Sequence, residues 1–281
     1  MGSHALALVL ASALLHALWN ALLKREDDIE VATVGVLAVA AVSSALLVPF
    51  SAGAAFPIQR GFLWALGAGV FEGGYFVALA MALLRAPLGF AYTVARGGAI
   101  ALVWPISVVL LGESLTPLAI GGVVVLWLGL LSVGLGGDHR ASSSGLRWSL
   151  LCALGIAGYH LCYKEALADH ALPAALFAVS LAIALPANLL RLGPDKRARL
   201  YTRLRLVPRS IIASGLICTA AFVVFLNALA LAGAGAVLTL RNTSVVFAQL
   251  LAFMIGERLP RTQVIGALLI ALGAALIGWP R

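Results

Sequence analysis

Two stretches of this chain repeat one another, and the duplication limits the folds open to it more than any single motif does. Residues 92–96, ending in Arg96, lead through an apolar run to Gly112-Glu113-Ser114-Leu115. Some 145 residues later, 238–241, ending in Arg241, lead through another apolar run to Gly256-Glu257-Arg258-Leu259. The arginine precedes the Gly-Glu pair by 16 residues in the first copy and 15 in the second. A further apolar run, 117–133 or 264–279, closes each copy. The match reaches back to the first span of each half, where Trp19-Asn20 and Lys24 correspond to Tyr159-His160 and Lys164 at an offset of 140. Repeated sets of apolar spans with an arginine inside each are the pattern of a two-fold membrane carrier.

Composition supports the membrane reading. Apolar residues make up 62% of the 281 and charged residues 11%, where a soluble domain carries roughly 25% charge. A helix needs about 20 residues to cross a bilayer. Apolar runs between breakers place ten spans near 5–23, 31–50, 61–84, 88–111, 117–136, 148–167, 171–190, 209–231, 235–256 and 262–279. The first continues past the length of a signal segment, so it reads as a span. Prolines 87, 117, 173, 208 and 260 sit near span starts, where a missing amide donor costs least. Pro105 lies inside span four and predicts a kink. Five spans per copy is an odd number, so the second copy enters the membrane from the opposite side. The expected fold is therefore an all-α membrane protein with ten transmembrane helices. Two inverted five-helix repeats, residues 1–137 and 138–281, enclose a central cavity. Gly69 with Gly73, Gly121-Gly122 with Gly129, and Gly266 with Gly273 mark close helix contacts.

The net charge of +8 comes largely from one loop between Arg191 and Arg209. In a membrane protein such a cluster orients the chain or meets lipid headgroups, and it gives no reason to expect nucleic acid. Apart from the two mid-span arginines, fourteen Lys/Arg follow odd-numbered spans and three (Arg60, Lys164, Arg281) lie on the other side. By the positive-inside rule the fourteen are cytoplasmic and both termini external. Cys152, Cys162 and Cys218 fall in apolar stretches and read as buried small residues. No nucleotide loop, metal-ligand cluster or nucleophile–base pair is visible, so neither a cofactor nor an enzymatic activity is expected.

A charge at mid-bilayer costs about 2.5–3.5 kcal/mol on insertion scales. Glu72 in span three, Arg96 in span four and Arg241 in span nine must therefore face the bundle interior. One reading is a buried Glu72–Arg96 ion pair that fixes packing. The other is a wet chamber whose two arginines and single acid leave it net positive, suited to a carboxylate or phosphate. His16 and Asn20 share one face of span one, as His160 and Lys164 do in span six. His16 is a candidate proton carrier, or else a neutral core histidine. Tyr75 can share the face of Glu72, and Tyr92 that of Arg96. Tyr163, Asn227, Asn242 and Gln249 add polar capacity or simply interhelical hydrogen bonds. Lys24 and Lys164 are expected to snorkel to the interface. Glu113 and Glu257 are expected to cap the helices that follow them. Spans five and ten carry no charge and read as peripheral.

The run His16-Ala17-Leu18-Trp19-Asn20-Ala21-Leu22-Leu23-Lys24, the run Tyr92-Thr93-Val94-Ala95-Arg96-Gly97 and the two Gly-Glu-x-Leu turns resemble EamA-type members of the drug/metabolite transporter superfamily. That resemblance implies a ten-helix inverted-repeat carrier of the bacterial inner membrane. Spans one to four and six to nine would surround the cavity, with alternating access and export of amino acids or related metabolites. It also implies cytoplasmic termini, against the loop count. The related four-helix exporters carry a glutamate in their first helix, whereas here the acid is in span three, which argues against lipophilic cations. The expectation is a secondary carrier, with protons as a further candidate partner, for a small anionic or zwitterionic metabolite in a lipid bilayer. Its site would be His16, Trp19, Asn20, Glu72, Tyr75, Tyr92, Arg96, His160, Tyr163 and Arg241. Glu72 would position Arg96 or exchange a proton. The alternative is a lipid or lipid-linked sugar translocase, which apolar inner faces on spans four and nine would signal.

Overall fold

The computed structural model describes residues 3–111, 117–135, 142–206, 209–231, 237 and 240–277; side chains are described for all of these except 104–111, 119, 134–135, 203–206 and 277. Within them the chain forms helices and no strand: α1 (Ser3–Lys24), α2 (Ile29–Leu47), a 3-10 turn (Val48–Phe50), α3 (Gln59–Arg85), α4 (Leu88–Leu111), α5 (Pro117–Leu135), α6 (Ser143–Ala168), α7 (Pro173–Arg191), α8 (Pro194–Leu206), α9 (Arg209–Leu231), α10 (Ser244–Met254) and α11 (Arg261–Ile277). Hydrocarbon offers no partner for backbone polar groups, so long apolar runs satisfy them as helix. Five segments, Ser3–Lys24, Ile29–Phe50, Gln59–Arg85, Pro173–Arg191 and Arg209–Leu231, are long and apolar enough to cross a bilayer by themselves. Local signals set the starts. Asp28 accepts a hydrogen bond from the Val31 amide at 3.2 Å, Ser142 accepts one from Gly145 at 3.0 Å, and Pro173 opens α7.

Neighbour relations exchange when α1, α2, α3, α4 and α5 are swapped for α6, α7, α9, α10 and α11. Helix α3 lies on α6 as α9 lies on α1; α3 meets α7 as α9 meets α2; α4 packs on α6 as α10 packs on α1. The pairs α2–α7, α4–α10 and α5–α11 map onto themselves. One end of the bundle gathers the ends of α1 and α3 with the starts of α4 and α6. There the Lys24 ammonium donates to the Leu83 and Ala86 carbonyls, and Ser142 to that of Arg85. The opposite end gathers the start of α3 with the end of α6. There Arg60 grips Asp169 and the Leu172 amide donates to the Ala55 carbonyl at 3.0 Å.

Glycine contacts follow the expected spacing. A Cβ on Gly129 would lie 2.8 Å from the Gly266 carbonyl, one on Gly266 2.7 Å from that of Gly129, and one on Gly273 2.6 Å from that of Gly122. Helices α5 and α11 thus touch backbone to backbone, while Leu128, Leu131, Leu268 and Leu272 face outward. Gly69 does the same for α3 against α7, 2.7 Å from the Ser180 carbonyl. Gly121 is not part of this seam, since nothing lies within 4 Å of its added Cβ.

Four expectations change. The basic stretch after Arg191 is not a loop: Pro194 and Asp195 start α8, and Leu200 packs with Val31, Val34 and Leu192. Its charge is partly neutralised by the start of α2, with Arg191 and Lys196 on Glu30 and Arg199 on Asp28 at 3.3 Å. Lys24 does not snorkel; it caps the carbonyl end of α3. Glu257 does not cap the helix that follows it. Its two oxygens accept from the Leu88 and Gly89 amides at 2.7 and 3.2 Å, at the start of α4. The ninth span is not continuous, because the ladder breaks at Asn242-Thr243. Bonds three residues long, Thr243 to Leu240 and Val245 to Asn242, replace bonds of four. The first Gly-Glu turn, 112–115, lies outside the described residues, as do the side chain of Pro105 and residues 278–281 at the end of span ten.

Candidate functional site

His16, Trp19 and Asn20 from α1, Glu72 and Tyr75 from α3, Tyr92 and Arg96 from α4, His160 and Tyr163 from α6, and Arg241 are all buried. They divide into two clusters. In the first, Arg241 sits just before the break that opens α10. Its Nη2 donates toward His16 Nδ1 at 3.3 Å and its Nη1 toward His160 Nε2 at 3.4 Å. A guanidinium has only donors, so both facing ring nitrogens accept and both imidazoles are neutral here. Trp19 Nε1 donates to the same His16 nitrogen at 3.4 Å, and Asn20 reaches the His16 carbonyl at 2.7 Å. The Arg241 guanidinium carbon lies 3.5 Å from the Phe225 ring centroid and 5.1 Å from that of Phe222, a placement that favours a cation.

Arg96 approaches from α4. Its Nε donates to Ser244 Oγ at 3.4 Å, and its guanidinium carbon is 6.0 Å from the Tyr92 ring. Among the described residues no carboxylate lies within ion-pair distance of Arg96 or Arg241. Five buried polar atoms here have no hydrogen-bond partner among the described residues: Arg96 Nη2, Arg241 Nε, the Tyr92 and Tyr159 hydroxyls and Asn20 Oδ1. An unmet buried group costs about 1–3 kcal/mol. Four donors and one acceptor thus collect where α1, α4, α6 and Arg241 meet.

The second cluster answers the reading that pairs Glu72 with Arg96. Glu72 Oε1 lies 2.6 Å from the Tyr163 hydroxyl and Oε2 2.7 Å from Ser180 Oγ, so its partners are α6 and α7. Gly69 and Gly73 bring α3 so close to α7 that Ser180 reaches the carboxyl. Tyr75 packs against Phe76 and Tyr159, with centroids 4.7 and 5.4 Å away.

Residues 143–279 match the family model described as the EamA-like transporter family. That segment holds His160, Tyr163, Ser180, Phe222, Phe225 and Arg241, half of both clusters. The second half of the chain thus belongs to the EamA-like transporter family. This EamA-like chain is accordingly a multi-pass membrane protein of a transporter class within the drug/metabolite transporter superfamily. A solved structure titled only "Crystal structure of protein" is similar with a TM-score of 0.63 and 18% identity, over 98% of this chain and 96% of that one. At that identity the likeness concerns the fold alone. No curated protein matches the sequence.

The structure also supplies site residues of the EamA-like chain that sequence reading left out: Ser180, Ser244, Tyr159, Phe222 and Phe225. Ser180 and Asn188 are eight apart on α7, two turns along one face, which was a legible sign of an inward stripe. Phe222 and Phe225 are three apart on α9, but aromatic spacing alone reads as core. Gln249 keeps to interhelical bonding, donating to Thr93 Oγ1 at 2.7 Å and to the Gly89 carbonyl at 3.0 Å. Asn227 donates to the Val223 carbonyl of its own helix. Cys152, Cys162 and Cys218 are buried and unbridged.

Proposed function

We propose that this chain is a secondary carrier that moves a small solute bearing a carboxylate or phosphate across the bacterial inner membrane by alternating access, in the export direction. One observation carries the reading: two buried arginines, one from each half, converge with no acid among the described residues against either. A guanidinium fork grips a carboxylate or phosphate through parallel N–H bonds. The unpartnered Arg96 Nη2 and Arg241 Nε supply such donors, and Asn20 Oδ1 accepts from an ammonium or hydroxyl on the same solute. His16 and His160 hold Arg241 in place, and Trp19, Tyr75, Tyr92 and Tyr163 shape the walls. The break at Asn242-Thr243 adds the positive end of α10 beside Arg241.

Alternating access is supported by the exchange of neighbours between the halves and by the shared end at which α1 stops and α6 starts. Both are what ten spans in two inverted sets of five require, with α8 as an addition at the membrane surface. The polar inner faces of α4 (Tyr92, Thr93, Arg96) and of α10 (Ser244, Gln249) count against a lipid translocase. A thermal-shift screen of amino acids, organic acids and phosphonates on the purified protein tests the reading. Stabilisation by anionic compounds is expected, abolished in Arg96→Ala and in Arg241→Ala. A response retained by both variants overturns the anion site.

A further inference from the structure

Glu72 lies midway along α3 with no cation against it among the described residues, and its hydrogen-bond geometry constrains its charge. Four oxygen–oxygen contacts surround it. Tyr163 is 2.6 Å from Oε1, Ser180 Oγ is 2.7 Å from Oε2, the two hydroxyls are 3.0 Å apart, and Ser180 Oγ is 3.0 Å from the Phe177 carbonyl. The hydroxyls bring two hydrogens, one each. If the carboxyl is ionised, two contacts are bridged and two set lone pair against lone pair. If it is protonated, Tyr163 donates to Oε1, Oε2–H donates to Ser180 Oγ, and Ser180 donates to Phe177, so three are satisfied. An ionised carboxylate at this depth without a counter-charge is also strongly disfavoured. Asp169 shows the contrast: just past the end of α6, its two oxygens are taken by the Arg60 fork at 2.8 and 2.5 Å.

From this geometry we infer that Glu72 is a proton-binding site, loaded in the present conformation and discharged to water when α3 parts from α6 and α7. Tyr163 and Ser180 come from the other half of the chain, so the motion that opens the halves removes both stabilising hydroxyls and admits solvent. The ionisable groups facing Glu72 are Tyr163 and Tyr159 of α6, Cys218 of α9 and, farther off, Arg241. Tyr75 stands on its own helix, α7 contributes Ser180 and Asn188, α4 carries Arg96, and α2 has no ionisable residue beyond Glu30 at its start. None offers a full charge in contact. His16, the other proton candidate, is committed as an acceptor to Arg241. The use of this proton in coupling rests on the carrier reading above; the protonation itself does not.

Infrared spectroscopy of the full-length protein, without added solute, tests the inference separately from the anion site. At neutral pH the wild type should show the carbonyl stretch of a protonated carboxyl. The band should shift on carbon-13 labelling of glutamate and vanish in the isosteric Glu72→Gln. Tyr163→Phe should move its frequency, which a merely structural role would not do. Absence of a protonated-glutamate band in the wild type overturns the site, whatever the variants do. The discharge step has its own readout. A Cβ on Gly73 lies 3.6 Å from that of Ala187, within disulfide range of about 3.5–4.5 Å. Oxidised Gly73→Cys/Ala187→Cys should exchange the Glu72 proton with heavy water more slowly than the reduced form. Equal rates overturn the coupling of discharge to the parting of α3 and α7.

Discussion

At the scale of single residues, the placement of Arg241 depends on three different interactions. Two imidazole lone pairs take its terminal nitrogens, and the Phe225 ring takes its face. Lysine carries the same charge without the planar fork, so it cannot reach both histidines at once. Arg241→Lys should therefore weaken binding of a carboxylate found by thermal shift by about tenfold or more, about 1.4 kcal/mol, as read by titration calorimetry. The inward position of Arg96 and Arg241 was legible in sequence, because a mid-span charge facing lipid would undo insertion. The partner of Glu72 was not. Several inward polar groups were available, and which of them meet depends on the rotation of α7, whose Ser180 stands alone in an apolar run.

Among the elements, the corner between α3 and α4 carries the clearest consequence. Ala86 is extended, as a residue before proline must be, with φ −143° and ψ 155°. Pro87 has no side chain with which to cap α4, so the Leu88 and Gly89 amides would be left open without Glu257. Glu257→Ala should lower stability by about 1–2 kcal/mol, seen as a fall in melting temperature in detergent, with Glu257→Gln intermediate. The α5–α11 seam responds to volume instead. Gly129→Leu should cost about 1–3 kcal/mol through overpacking, whereas the same change at Gly121, which faces open space, should be nearly silent. The seam was legible from glycine spacing. Helix α8 was hidden by its seven-residue share of basic charge with the flanking segment, although Pro194 followed by Asp195 was a usable start signal. The partner of Glu257 could not be read locally, since 168 residues separate it from Gly89.

For the molecule as a whole, the two ends are fastened by different chemistry. One uses Lys24 and Glu257 on helix termini, the other the Arg60–Asp169 pair, its guanidinium exposed and its carboxylate covered. The Arg60 hydrogen bond holds the Asp169 carboxyl below the usual carboxylate range. A depressed acid stabilises the fold above the unfolded carboxylate range and loses that contribution as pH falls through its own lowered value. The melting-temperature difference between wild type and Asp169→Asn should thus be steady near neutrality and disappear in acid. The all-helical fold and its apolar spans were readable because apolar run length survives in one sequence. The packing partners were not, since they are set between halves far apart along the chain.

The seam between α5 and α11 also bears on how such a molecule moves. Main chain resting on main chain, with Val133, Leu126 and Ile270 packed into the glycine gaps, leaves little room to slide or repack. On the carrier reading proposed above, a change of shape around Arg241 and Glu72 would fall to the inner helices, with this outer rib as the line against which they swing.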